Sequence, residues 1–121
     1  MASTQVLVLG FDPVTVPGYD PAPVVAAIER GQQRFAEYGI SCDLGLVPFD
    51  DTAEERIVEL LHREPYACVV VGGGIRKQEE LLELFERVVN LVRRHAPQAA
   101  IAFNSSPDDS ADAARRWLTG P

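Results

Sequence analysis

Long apolar runs are missing from this sequence of 121 residues. Even Cys68–Val71, extended into the glycines that follow it, is far shorter than the roughly 20 residues that a membrane-spanning helix requires. No charged start followed by an apolar segment and a cleavage site precedes Val6. The sequence therefore predicts a cytoplasmic protein with no membrane partner.

Positive charge is also scarce. Lysine and arginine together number 11 against 18 aspartates and glutamates, which gives a formal net charge of −7. Nucleic acids and anionic membranes are bound by positively charged surfaces, so neither is expected as a partner. The acidity itself is explained by solubility and indicates no particular function.

Cysteine is present at only two positions, Cys42 and Cys68. There is no C-x-x-C pair and no zinc-like spacing, so no metal site is predicted. The two cysteines fall in different predicted strands, which we expect to lie about two strand spacings (roughly 9–10 Å) apart. That distance exceeds the ~7 Å Cα limit for a disulfide, and we expect two buried, reduced thiols.

The sequence does contain a regular alternation of short apolar segments and amphipathic segments. The predicted strands are 5–10, 40–49, 66–72 and 99–103, and the predicted helices are 23–38, one between 52 and 65, 77–95 and 111–118. This alternation predicts one α/β domain over residues 1–121, with a parallel sheet and right-handed crossovers. Gly31 inside the first helix costs up to ~1 kcal/mol relative to alanine, which predicts a close approach of that helix to the sheet.

The apolar pattern also predicts the order of the strands. Val6–Leu9 and Cys68–Val71 do not alternate with polar residues, so both strands should be covered on both faces and lie in the centre. Asp43 and Gly45 are disfavoured in a central strand and place the second strand at an edge. The order 2-1-3-4 follows, in a three-layer α/β/α sandwich with the first and last helices on one face. This plan resembles a flavodoxin or response-regulator receiver domain without its fifth strand, in architecture but in no motif.

The strand order predicts where a ligand would bind. In open α/β sheets ligands bind beyond the carboxyl ends of the strands, where the strand order reverses, here between the first and third strands. The long loop 10–22, the three glycines and the segment after the fourth strand meet at that point. The candidate site residues are Asp12, Gly72, Gly73, Gly74, Arg76, Lys77, Asn104, Ser105 and Ser106.

The glycines indicate the chemistry of this candidate site. Gly73 and Gly74 are expected to have positive φ or to let a ligand approach closely, and helix 77–95 would add its partial positive charge. Arg76 and Lys77 could bind a carboxylate or phosphate. The sequence GGGIRK is not a nucleotide-binding fingerprint, and a turn that lets strand and helix pack tightly explains the glycines equally well. No cofactor is indicated.

Catalysis is less well supported than binding. Asp12 follows a central strand, as acidic residues of receiver domains do, but the third strand ends in glycine where the phosphorylated aspartate would be. Ser105 and Ser106 lack a nearby base, because His62 and His95 fall near helix C-termini. The sequence favours a non-catalytic module for a small anionic or polar ligand, with a hydrolase-like enzyme using Asp12 as an alternative.

Helix 77–95 suggests a second alternative, a protein–protein interaction module. A sufficient stripe for packing on the sheet is supplied by Leu81, Leu84, Phe85, Val88 and Val92. Leu82, Val89 and Leu91 widen that stripe and predict a homodimer through this helix, because soluble monomers rarely expose large apolar patches. Burial against the preceding helix is the other explanation.

Overall fold

The computed structural model describes residues 5–18 and 20–118. Its sheet has four parallel strands in the order β2-β1-β3-β4, as predicted. The strands are β1 (Val6–Phe11), β2 (Cys42–Val47), β3 (Cys68–Val71) and β4 (Ala100–Phe103). The two non-alternating apolar strands, β1 and β3, are the central pair.

Five helices surround this sheet: α1 (Ala22–Glu37), α2 (Ala53–Leu61), α3 (Gly73–Arg76), α4 (Leu82–His95) and α5 (Ser110–Leu118). Three short 3₁₀ turns, Pro13–Thr15, Glu79–Leu81 and Pro107–Asp109, complete the described structure. Within the described residues, no helix has the length and hydropathy needed to cross a membrane.

Both faces of the sheet are covered, which explains why β1 has no polar alternation. Leu7 and Leu9 lie in one apolar cluster with residues of α2 and α4. Val6 and Val8 lie in a second cluster with residues of α1 and α5. The predicted three-layer arrangement, with the first and last helices on the same face, is confirmed.

The prediction of one helix over 77–95 is wrong. The chain forms the single turn α3 directly after Gly72, becomes extended at Gln78, and starts α4 only at Leu82. This break lets Ile75 reach full burial near β1 while α4 packs Val88 separately on the sheet. The long helix therefore does not begin at the glycines, and its dipole does not act there.

The predicted interface residues on α4 also differ in their environments. Leu82 is 57% exposed and Val89 is half-buried. Leu91, in contrast, packs against the apolar cluster between α4, α2 and the sheet. Leu91 is partly buried by this packing, which agrees with the other explanation given for its position, and the homodimer through this helix stays a prediction.

The C-terminal half of helix α1 makes polar contacts with the segment after β4. Arg30 pairs with Asp108 at 2.6 Å, and Arg34 pairs with Asp112 at 2.8 Å. The Tyr38 hydroxyl also donates to Asp112. The hydrogen bonds from Tyr38 and then from Arg34 lower the pKa of Asp112. The contacts of Asp112 with α1 therefore persist in mildly acidic solution, and they are lost as the pH falls through that lowered pKa.

Gly31 lets α1 make this approach. A Cβ added at Gly31 would lie 2.1 Å from the carbonyl oxygen of Pro107, far inside any normal contact. The close approach predicted from the sequence exists, but its partner is the 3₁₀ turn Pro107–Asp109 rather than the sheet. Helix α1 is thereby held toward α5.

We expect Gly31→Ala to lower the free energy of unfolding by about 1–3 kcal/mol, because the methyl group must displace backbone atoms of the Pro107 turn. Alanine's higher helix propensity, worth up to ~1 kcal/mol, acts in the opposite direction. Urea denaturation of the two proteins measures the difference. Gln33→Ala, at an exposed position of the same helix, is the control, and equal stability of all three proteins would contradict the contact.

The two cysteines lie on strands either side of β1, each in register with Val6. This confirms the predicted separation of two strand spacings, and both thiols are free. Cys68 is buried and Cys42 is partly buried. Burial raises the pKa of Cys42 to about 12 and that of Cys68 to about 11.

Because the thiolate is the reactive form, both cysteines should react very slowly in the folded protein. We expect labelling with a disulfide-exchange probe at pH 8 to be at least about a hundredfold slower than in denaturant. Cys42→Ser and Cys68→Ser variants assign the rates. Fast labelling of the native protein, or a Cys42–Cys68 disulfide in a non-reducing digest, would contradict the strand arrangement.

Candidate functional site

A cavity of about 710 Å³ lies at the carboxyl ends of the strands, between α1 and the β1–β2 half of the sheet. Its size is typical of small-molecule sites. Aliphatic and aromatic side chains form a large part of its wall, and include Val8, Val24, Ile28, Leu44, Leu46 and Phe49.

The cavity exists because α1 lies away from β2. Parallel register places Val8 beside Leu44 and Gly10 beside Leu46, so these residues share the face beneath α1. Helix α1 packs mainly against the Pro107–Asp109 turn and α5, and it leaves the edge strand partly uncovered. Leu44 accordingly stays 37% exposed.

The three glycines form part of the cavity wall. Within the described residues only Gly18 and Gly39 have positive φ, so the first of the two alternatives for Gly73 and Gly74 is wrong, and the close approach of a ligand stays a prediction. A Cβ at Gly72 would lie 3.0 Å from the Leu9 carbonyl oxygen, which makes Gly72 a packing glycine. A Cβ at Gly74 would meet no atom within 4 Å, so this backbone is open to a ligand.

Asn104 holds the glycine turn against the end of β4. Its side chain is buried, its Oδ1 accepts the Gly73 N–H at 2.9 Å, and its Nδ2 donates to Ser110 Oγ at 2.9 Å. The Gly73 N–H is thus already paired within the protein. Asn104 shapes the wall and has little capacity left for a ligand.

The two cations after the glycines have different positions. Arg76 donates to the Asn104 carbonyl oxygen and lies over the Phe103 ring, outside the cavity wall. Lys77 is exposed, lines the cavity, and donates from Nζ to the Ser105 carbonyl oxygen. Within residues 5–18 and 20–118, Lys77 is the only charged residue of the wall.

Asp12 is not brought into the site. It does not line the cavity, and its Oδ1 accepts the Val14 N–H at 3.1 Å, which caps the 3₁₀ turn Pro13–Thr15. The structure therefore gathers the glycines, Lys77, Asn104, Ser105 and Ser106 around one cavity, and leaves Asp12 and Arg76 outside it.

The serines at the rim have no catalytic partner among the described residues. Ser105 Oγ and the Ser106 N–H both donate to Asp109, which closes the turn after β4. His62 and His95 lie at the ends of α2 and α4 and bind each other, with Nε2 and Nδ1 3.0 Å apart. In the part of the chain that is described, no three metal-ligating side chains cluster.

The apolar wall is the part of the site that sequence reasoning missed. Leu44 and Leu46 alternate on an edge strand, and Val24 and Ile28 lie one turn apart on α1. Each pair predicts ordinary core packing. These residues line a cavity because α1 lies away from β2, and that position of α1 depends on its contact with the distant Pro107 turn.

Comparison with known proteins gives little further guidance. The chain matches no protein-family profile, and no solved structure matches it. A stretch of 69 residues, 56% of this chain, is 36% identical to Protein unc-33 of Caenorhabditis elegans. The match covers only 8% of that protein, so it assigns neither a family nor an activity.

We expect Asn104→Leu to lower the free energy of unfolding by about 1–3 kcal/mol, because the Gly73 N–H and Ser110 hydroxyl lose their buried partners. Chemical denaturation measures the loss. Gln33→Leu, at an exposed position of α1, is the control. If the two variants were equally stable, Asn104 would not hold the turn.

Proposed function

We propose that this protein binds a small amphipathic anion in the strand-end cavity. The apolar part of the ligand would lie between α1 and the β1–β2 half of the sheet, and its charged end at Lys77. The observation that carries the proposal is the charge distribution: Lys77 is the one charged residue among the described residues that line the cavity, in a chain of net charge −7.

The apolar wall supports a ligand with a substantial hydrocarbon part. Burial of apolar surface contributes roughly 25 cal/mol per Å², so about 200 Å² of ligand surface would contribute about 5 kcal/mol before the costs of association. A purely polar ligand would leave Val8, Ile28 and Leu46 facing water or unpaired polar atoms. The sequence predicted a small anionic or polar ligand, and to this the apolar wall adds the expectation of a hydrocarbon part.

Lys77 supports an anionic rather than a cationic head group. Its ammonium group has three donors, so it can keep its bond to the Ser105 carbonyl oxygen and still bind a carboxylate. No aspartate or glutamate among the described residues lines this cavity. The open backbone at Gly74 lies on the same wall and gives the head group room.

Binding without catalysis is the better supported role. Asp12, the residue of the hydrolase alternative, serves as a cap, and the rim serines are bonded to Asp109. The wall thus provides the Lys77 cation and an apolar cavity, but among the described residues it has no paired nucleophile and base.

Octanoate and the neutral octan-1-ol are matched probes for this proposal. We expect octanoate to shift the backbone amide signals of Gly73, Gly74 and Ser106 in ¹⁵N NMR spectra. Lys77→Met should weaken octanoate binding about tenfold, equivalent to about 1.4 kcal/mol, because it removes the cation. The same variant should leave binding of the alcohol unchanged.

A filled cavity gives the control. Ile28→Trp should abolish binding of both probes, whereas Leu82→Trp, an equal change on exposed α4, should not. The proposal would be wrong if octanoate shifted no cavity amides at millimolar concentration, or if Lys77→Met weakened octanoate and octan-1-ol equally.

A further inference from the structure

The outward face of α4 carries a short stripe of four residues, Leu82, Glu86, Val89 and Arg93, here named the outer stripe. Their spacing of four, three and four places them on one side of the helix. A different side of the helix buries Val88 and Val92 in the core. Leu82, Glu86 and Arg93 are exposed and Val89 is half-buried, so the outer stripe is available to a partner.

Charge is segregated along this helix. The acidic residues Glu79, Glu80, Glu83 and Glu86 precede or occupy its first half, and Arg93 and Arg94 end it. Arg87, in the middle, pairs with Glu54 and Glu83. Among residues 5–18 and 20–118, neither Glu86 nor Arg93 forms a salt bridge, so opposite charges remain unpaired on the two sides of Val89 along the stripe.

We infer that the outer stripe binds a second copy of itself, antiparallel, about a twofold axis that passes between Val89 and Asn90. Glu86 and Arg93 are seven residues apart, or about 10.5 Å along the helix, and lie at equal distances from this axis. Glu86 then faces the partner's Arg93, and Arg93 faces the partner's Glu86. Val89 meets the partner's Val89 at the axis.

A second copy is favoured over an unrelated partner because the stripe is complementary to itself. A twofold interface uses one surface twice, so the acid and the base must lie symmetrically about its centre, as they do here. A parallel arrangement would place Glu86 against Glu86 and Arg93 against Arg93. The charges therefore select both the partner and the antiparallel register.

The interface is small, so the dimer belongs to the weak, reversible class. Exposed ion pairs contribute little each, and contact of Val89 with the partner's Val89 supplies the apolar part. We expect dimers at tens of micromolar protein and monomers at high dilution. This inference is independent of the ligand cavity, which lies on the opposite face of the sheet beside α1.

Sedimentation equilibrium of charge-reversed variants tests the register directly. Glu86→Arg and Arg93→Glu should each raise the dimer dissociation constant at least tenfold, since each places like charges across the axis. An equimolar mixture of these two variants should form a heterodimer, because every facing pair is then opposite in charge. The double variant should recover wild-type association within about threefold.

The controls are Glu80→Arg and Arg94→Glu, which change the same charges outside the stripe and should leave the dimer intact. Far-ultraviolet circular dichroism checks that each variant is folded. Monomeric wild-type protein at 200 μM would overturn the inference. So would two folded single variants that fail to associate when mixed, or controls that dissociate as strongly as the stripe variants.

Discussion

The contact between α1 and the Pro107–Asp109 turn decides the shape of this protein's candidate site. Gly31 permits the approach, and the Arg30–Asp108 pair joins the same two elements. Because α1 is held toward α5, its apolar residues Val24 and Ile28 do not close on the edge strand. A packing constraint far along the chain thus opens a cavity where an ordinary sandwich would have core.

The charge of the cavity wall lies at one place. The chain is strongly acidic, yet the one charged residue found in the described wall is a cation. Lys77 ends the single turn α3 and lies beside the glycines in the cavity wall.

The fold could be predicted well from the sequence because the burial of a strand determines whether apolar and polar side chains alternate along it. The unbroken apolar runs Val6–Leu9 and Cys68–Val71 identified the central strands, and Asp43 and Gly45 identified an edge. Such signals are local. They need only the rule that a strand covered on both faces has no polar alternation.

The candidate site was predicted only in part because much of it depends on tertiary contacts. The glycines, Lys77 and Asn104 were found from strand order alone, and the structure places all of them at one cavity. Asp12 was misplaced, because its carboxylate is used by the nearby Val14 N–H. The apolar wall was missed, because nothing in Val24 or Leu44 distinguishes a cavity residue from a core residue.

The central claim is that Lys77 receives the charged end of a ligand whose body lies in the cavity. Lys77 is the single lysine of the chain, so reductive ¹³C-methylation labels this side chain and the N-terminal amine, and keeps the charge. On addition of octanoate, the account predicts that the methyl signal of Lys77 shifts and saturates while that of the N-terminal amine stays in place. A Lys77 signal that does not move, or that moves equally with octan-1-ol, would contradict it.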